Sequence, residues 1–131
     1  MEVERIAMEI TTAAETAQGA VVRDVSTPPK ARLAGLTDYP GFDLLSRRPA
    51  DKRGIEVKGR VGPGEIELTE NEWAKACNLR ERYWLYAVFD CGTTKPRLFR
   101  VRDPFARLIT KTRGSLVIGY ADIARSAEAA G

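Results

Sequence analysis

The sequence predicts an α/β domain in which a mixed sheet packs between helices. Three patterns carry that expectation. Residues 3–18 place Val3, Ile6, Ala7, Ile10, Ala13, Ala14 and Ala17 at three- and four-residue spacing, one apolar stripe of a helix. Residues 42–46, 55–60 and 65–68 alternate with the two-residue period of strands. Residues 83–89, Tyr-Trp-Leu-Tyr-Ala-Val-Phe, have no polar face, which suits a strand covered on both sides. At 131 residues the chain is long enough for one domain around one core. That domain is expected over 1–131, with its core at residues 3–105 and a C-terminal extension over 106–131.

Element by element, the first helix should stop at Gly19. Val21–Val25 reads as a short strand or an extended lead-in, and Thr27-Pro28-Pro29 opens a loop that runs to Pro40. On a strand Phe42–Ser46, the side chains of Phe42, Leu44 and Ser46 share one face, and Asp43 and Leu45 take the other. Residues 48–54 read as a polar turn, with Ile55–Arg60 as the second strand of the hairpin and Gly62-Pro63-Gly64 as its end. Glu65–Leu68 is expected as a third strand. Thr69 and Glu72 have the spacing of a capping box at the head of a helix to about Leu79, with Trp73, Ala76 and Cys77 facing inward. After strand 83–89, a turn over Gly92–Pro96 leads to an edge strand, Arg97–Arg102. Asp103-Pro104 should start a short helix to about Lys111. The apolar segment Ser115–Tyr120 and an Ala-rich helical or frayed tail over 121–131 complete a small C-terminal cap.

Composition excludes several chemistries. The chain has no histidine, so a Ser-His-Asp triad, a histidine–cysteine zinc site and a histidine general base are all ruled out. Cys77 and Cys91 stand alone, which suits free thiols in a reducing cytoplasm. No apolar run reaches membrane-spanning length, and Met1-Glu2-Val3-Glu4 lacks the basic start of a secretory signal. The net charge of +3 is a mild bias toward polyanions. Between Arg47 and Arg60 six basic residues face two acidic ones, a pattern shared by a solvated turn and a phosphate-contacting flank.

The most informative stretch is Gly54-Ile55-Glu56-Val57-Lys58-Gly59-Arg60. Strand alternation puts Glu56 and Lys58 on one face and Ile55 and Val57 on the other, with Asp43 available from the neighbouring strand. Phosphodiester hydrolysis needs a divalent cation, and magnesium is satisfied by one or two carboxylates, a carbonyl and several waters. Asp43 and Glu56 would supply the carboxylates and Val57 the carbonyl, while Lys58 would orient water or stabilise charge on phosphorus. The competing reading is a surface ion pair between Glu56 and Lys58, worth about 0–1 kcal/mol. Glu65 and Glu67 read as the wet face of a strand, Glu4 and Glu15 as solvated helix charges, and Trp73, Tyr83, Trp84, Tyr86 and Phe89 as core.

Taken together, Pro40-Gly41-Phe42-Asp43, the run Ile55–Arg60, the run Gly64–Trp73 and Tyr83-Trp84-Leu85-Tyr86 resemble the NO VEIN C-terminal domain family. That family is similar in turn to the PD-(D/E)XK, or restriction-endonuclease-like, nuclease superfamily. The resemblance covers residues 3–105 and implies an αβββαβ core. It also implies a Mg²⁺- or Mn²⁺-dependent nuclease acting on DNA, with Asp43, Glu56 and Lys58 catalytic. A glutamate of the first helix would complete the metal site, Glu15 being preferred over Glu4, and Arg48 and Arg60 would steer the DNA backbone. Phe42 stands where the superfamily name has proline. The resemblance further implies a helicase or other ATPase as partner or fused domain, in defence or repair, and a homodimer if two strands are cut. The chain itself has no GxxxxGK[ST] loop. The alternative function is a nuclease-fold module that no longer cuts and serves as a DNA-binding or docking part of a larger ATPase assembly. A third option is a purely structural interaction domain.

Overall fold

The structure, a computed structural model, describes residues 2–108, 110–112 and 116–129. The chain runs α1 (Glu2–Ala17), β1 (Val21–Asp24), α2 (Pro28–Leu33), β2 (Leu44–Arg48), β3 (Asp51–Gly59), β4 (Ile66–Leu68) and α3 (Glu70–Leu79). A 3₁₀ turn at Arg80–Arg82 leads into β5 (Tyr83–Phe89), β6 (Arg97–Arg102), α4 (Pro104–Arg107), β7 (Lys111–Thr112), β8 (Leu116–Ile118) and α5 (Tyr120–Ser126).

A five-stranded mixed sheet, in the order β1-β2-β3-β5-β6, forms the centre. β1, β2 and β3 are antiparallel neighbours, β3 and β5 are parallel, and β6 returns antiparallel to β5 at the edge. The parallel step from β3 to β5 needs a crossover, and α3 provides it. All seven residues of β5 are buried, as their unbroken apolar character predicts. On one face of the sheet α1 covers Leu44, Ile55, Val57, Trp84, Tyr86 and Val88 through Ala7 and its neighbours. Gly59 permits this contact, because a Cβ there would lie 2.9 Å from the Ala7 Cβ and 3.0 Å from the Val3 carbonyl. The opposite face buries Leu85, Ala87, Phe89 and Val101 against Ile66, Leu68, Ile118 and Ile123. Each such large apolar side chain contributes about 1.5–3 kcal/mol by leaving water.

Several expectations need correction. The strand at 65–68 does not join the main sheet: β4 pairs with β8 in a separate three-stranded sheet. Both edges of β3 are already occupied, by β2 and β5, and β1 supplies the third strand of the meander instead. The stretch expected as a loop over 28–40 contains α2. Pro28 and Pro29 occupy its first turn, where no intrahelical N–H is required, and Thr27 Oγ1 accepts the Lys30 N–H at 3.4 Å. β2 begins at Leu44 rather than Phe42, because Gly41 at φ +84° turns the chain. Phe42 therefore packs with Leu45, Val25, Ala31 and Tyr83, not on the face of Leu44. Residues 51–54 extend β3, shortening the expected polar turn. Cys77 is exposed, since Ala76 takes the inward position of α3. α4 ends at Arg107, short of Lys111. Of the segment expected at 115–120, residues 116–118 form β8 and Tyr120 opens α5; Ser115 and the last two residues of the tail lie outside the described residues. Among the described residues no helix is long and apolar enough to cross a membrane.

Candidate functional site

The site is built from the backbone outward. Tyr83 OH donates to the Gly41 carbonyl at 2.8 Å and pins the segment that leads into β2. Asp43 is then fixed on both sides: its N–H donates to the Ile55 carbonyl and its carbonyl accepts the Val25 N–H, each at 2.8 Å. β2 pairs with β3 only as far as Ile55, and past that point Asp43 Oδ2 accepts the Val57 N–H at 2.9 Å. Ile55 and Val57 have the same parity along the strand, so the Val57 carbonyl leaves β3 on this same edge.

Glu56 and Lys58 emerge together from the face of the sheet covered by α3, as alternation predicts. Glu56 is only 3% exposed, so the pair is not a solvent-exposed ion pair. Lys58 Nζ lies 3.3 Å from Glu56 Oε2 and 3.0 Å from Glu72 Oε1. Glu72 has a double role that its sequence pattern does not reveal. Its Oε1 accepts the Thr69 N–H at 2.9 Å in the capping box of α3 and also faces Lys58. The first turn of α3 is thus set over the C-terminal half of β3, a placement that only the crossover decides.

Asp43, Glu56, Val57, Lys58 and Glu72 line one cleft of about 340 Å³, with Ser26 and Glu4 on its walls. Burial raises the Glu56 carboxyl well above its usual range, and the charges of Asp43 and Glu72 add to this against the pull of Lys58. Burial also raises Asp43, although the Val57 N–H and a hydrogen bond from Glu56 act the other way. Of the two carboxyls, Glu56 is the one whose protonated form its surroundings favour more strongly. Burial works against the charged form of Lys58, but Glu56 and Glu72 outweigh it and hold the ammonium above its ordinary value. Three carboxyl groups around one ammonium leave a deficit of positive charge. The donor set is hard oxygen, two carboxyls and a strand-edge carbonyl, which fits Mg²⁺ or Mn²⁺ retaining waters. Among the described residues no three Asp, Glu, Cys or His side chains form a ready-made metal cage.

The other expected site residues lie elsewhere. Glu15, 1% exposed, belongs to a separate network on the α1 face. It accepts from Ser46 Oγ at 2.8 Å, Tyr86 OH at 2.5 Å and Arg48 at 2.8 Å, with Arg53 at 3.5 Å. Its acceptor capacity is filled there, and the first-helix glutamate beside Asp43 and Glu56 is Glu4. Arg48 is committed to Glu15, and Arg60 donates to the Glu65 carbonyl at 3.0 Å; neither lines the cleft. Glu72 and Glu4 complete the cleft without having been singled out together by sequence.

Searches of curated proteins and of solved structures return no match for the chain. The sequence does match the family model for the C-terminal part of the protein NO VEIN over residues 3–101, most of its length, and the chain belongs to that family.

Proposed function

We propose that this domain is a metal-dependent nuclease with a restriction-endonuclease-like core that acts on DNA. The observation that carries the reading is the convergence of Asp43, Glu56 and Lys58 in one cleft, with Lys58 Nζ 3.3 Å from Glu56 Oε2. The order α1, β1, β2, β3, α3, β5 supports it, since it is the αβββαβ order the resemblance implies.

Asp43, Glu56 and the Val57 carbonyl would hold Mg²⁺ or Mn²⁺, which when bound would polarise a phosphoryl oxygen and lower the pKa of a water. The Val57 N–H fixes one oxygen of Asp43, so the carboxylate is oriented before any ligand arrives. Lys58 stays protonated, which makes it a donor to a phosphate oxygen and not a base. Its ammonium must loosen from Glu72 to reach that oxygen. Glu4 on the rim takes the role expected of a first-helix glutamate.

Purified protein should nick supercoiled plasmid with Mg²⁺ or Mn²⁺, and Lys58→Ala should lose about 10²-fold or more of that activity. Equal nicking by the two proteins would remove the proposal. A second reading is favoured by the 3.0 Å contact that ties Lys58 to Glu72. It describes a nuclease-fold module that binds DNA or docks on a helicase-type ATPase without cutting. DNA binding without metal-dependent turnover, unchanged by Asp43→Ala, would select it.

A further inference from the structure

A second pocket, of about 280 Å³, opens where β3 and β5 begin, on the far side of the segment that carries Asp43. Its floor is apolar, made by Leu36, Phe42, Leu45 and Leu79. Its charged lining is wholly basic: Lys52, Lys75 and Arg82. Among the described residues none of these three has an ion pair or hydrogen-bond partner for its charged group, in contrast to Arg48, Arg53, Lys58 and Arg97. A third pocket, of about 250 Å³, lies between the basic pocket and the acidic cleft. This third pocket shares Pro40 and Phe42 with the basic pocket and Ser26, Asp43, Glu56 and Glu72 with the cleft. Tyr39 stands on the wall and is 75% exposed, an aromatic side chain left in water beside the site.

An apolar floor of this size accepts one uncharged ring system and is too small for the face of a helix. Three uncompensated cations around it call for anions close to that ring. A nucleotide has both features, and a strand repeats them along its length. We propose that this pocket takes one unstacked base of a single-stranded nucleic acid, with adjacent phosphates on Lys52, Lys75 and Arg82, and that Tyr39 stacks on a neighbouring base. The direction of the strand, toward Asp43 and Glu56, rests on the nuclease reading; occupancy of the pocket does not require metal or cleavage.

The test is fluorescence anisotropy with a labelled single-stranded oligodeoxynucleotide in EDTA. Three phosphate contacts make the log–log salt slope shallower by about 2 in the combined variant Lys52→Gln, Lys75→Gln, Arg82→Gln. An all-abasic strand of equal length should bind wild type about tenfold or more weakly, and Tyr39→Ala should weaken the intact strand but not the abasic one. Methyl NMR signals of Leu36, Leu45 and Leu79 should shift with the intact strand and stay in place with the abasic one. An abasic strand that binds as tightly as the intact one would overturn the proposal, as would an unchanged salt slope. Occupancy by free mononucleotide without any strand binding would overturn it too. Wild type that binds in this way but never nicks plasmid retires the nuclease reading and leaves the pocket assignment standing. Metal-dependent nicking with no effect of these variants on strand binding does the reverse.

Discussion

Replacing Glu56 with Gln should make the metal-free protein more stable and at the same time abolish its response to divalent metal. Glu56 is 3% exposed and faces Asp43, Glu72, Lys58 and Tyr83. Gln is the neutral isostere of the protonated carboxyl, and its amide can donate to Asp43 as that carboxyl does. The sign follows from linkage. A carboxyl raised in the native state adds stability that is complete below its unfolded value of 4.5 and disappears as pH climbs through the raised native value. At neutral pH wild type must either hold an extra proton or ionise beside two acids, and the amide does neither. The gain should be about 1–3 kcal/mol, the scale of an unfavourable buried polar group. At about 2.1 cal/mol/K per residue, 131 residues give an unfolding entropy of about 0.28 kcal/mol/K, so each kcal/mol moves Tm by about 4 °C. In EDTA the variant should melt about 4–11 °C above wild type at pH 7, with the difference shrinking toward pH 4.5. With Mn²⁺ at about a hundred times Kd, wild type should gain about 2.7 kcal/mol, or about 10 °C, and the variant almost nothing. Scanning calorimetry of both proteins, with EDTA and with Mn²⁺, measures all four states. A variant less stable than wild type in EDTA would show that Glu56 acts mainly as the partner of Lys58. An undiminished Mn²⁺ shift would refute its role as a ligand.

Two further substitutions probe other parts of the account. Glu15→Gln should cost about 3–5 kcal/mol by leaving Arg48, Arg53 and Tyr86 poorly matched, yet retain the full Mn²⁺ shift; loss of that shift would return Glu15 to the metal site. Burial raises the Glu15 carboxyl, but hydrogen bonds from Tyr86, Ser46 and Arg48 and the charge of Arg53 outweigh it and hold the carboxyl below 4.5. The stability it provides is therefore present above pH 4.5 and lost as pH falls below it, so wild type and Glu15→Gln should converge in acid urea melts. Gly59→Val should cost about 1–3 kcal/mol, because its side chain would meet Ala7 and Val3 and push α1 from the sheet; a change under about 0.5 kcal/mol in urea unfolding would mean that α1 moves freely.

How much of this was legible in the sequence depended on the range of the interactions concerned. Local signals held well: the helix at α1, the stop at Gly19, the Thr69–Glu72 capping box and the two-sided burial of β5 all depend on residues a few positions apart, although the buried line of α1 is Ala7, Thr11 and Glu15, and Ala13 and Ala17 of the expected stripe are exposed. Alternation placed Glu56 and Lys58 on one face, and the hairpin brought Asp43 beside them. The failures were long-range or involved residues with two uses. Pro28-Pro29 breaks a strand but also starts a helix, and the sequence around it does not choose. β4 alternates as cleanly as a strand of the main sheet, yet its partner, β8, is remote in sequence. Glu15 and Glu4 lie on one flank of α1 three turns apart, about 16 Å along the axis, so only one of them can reach the cleft. Glu72 was read as a cap because capping is local, while its contact with Lys58 spans the crossover.

Asp43 and Glu56 are proposed to act together as a metal site, and a crystal structure of the protein soaked in MnCl₂ tests this most directly. An anomalous peak within about 2.0–2.2 Å of carboxylate oxygens from both residues, with the Val57 carbonyl or waters completing the shell, is the result predicted. A cleft with no peak while manganese binds elsewhere, or a peak at Glu15, would contradict it.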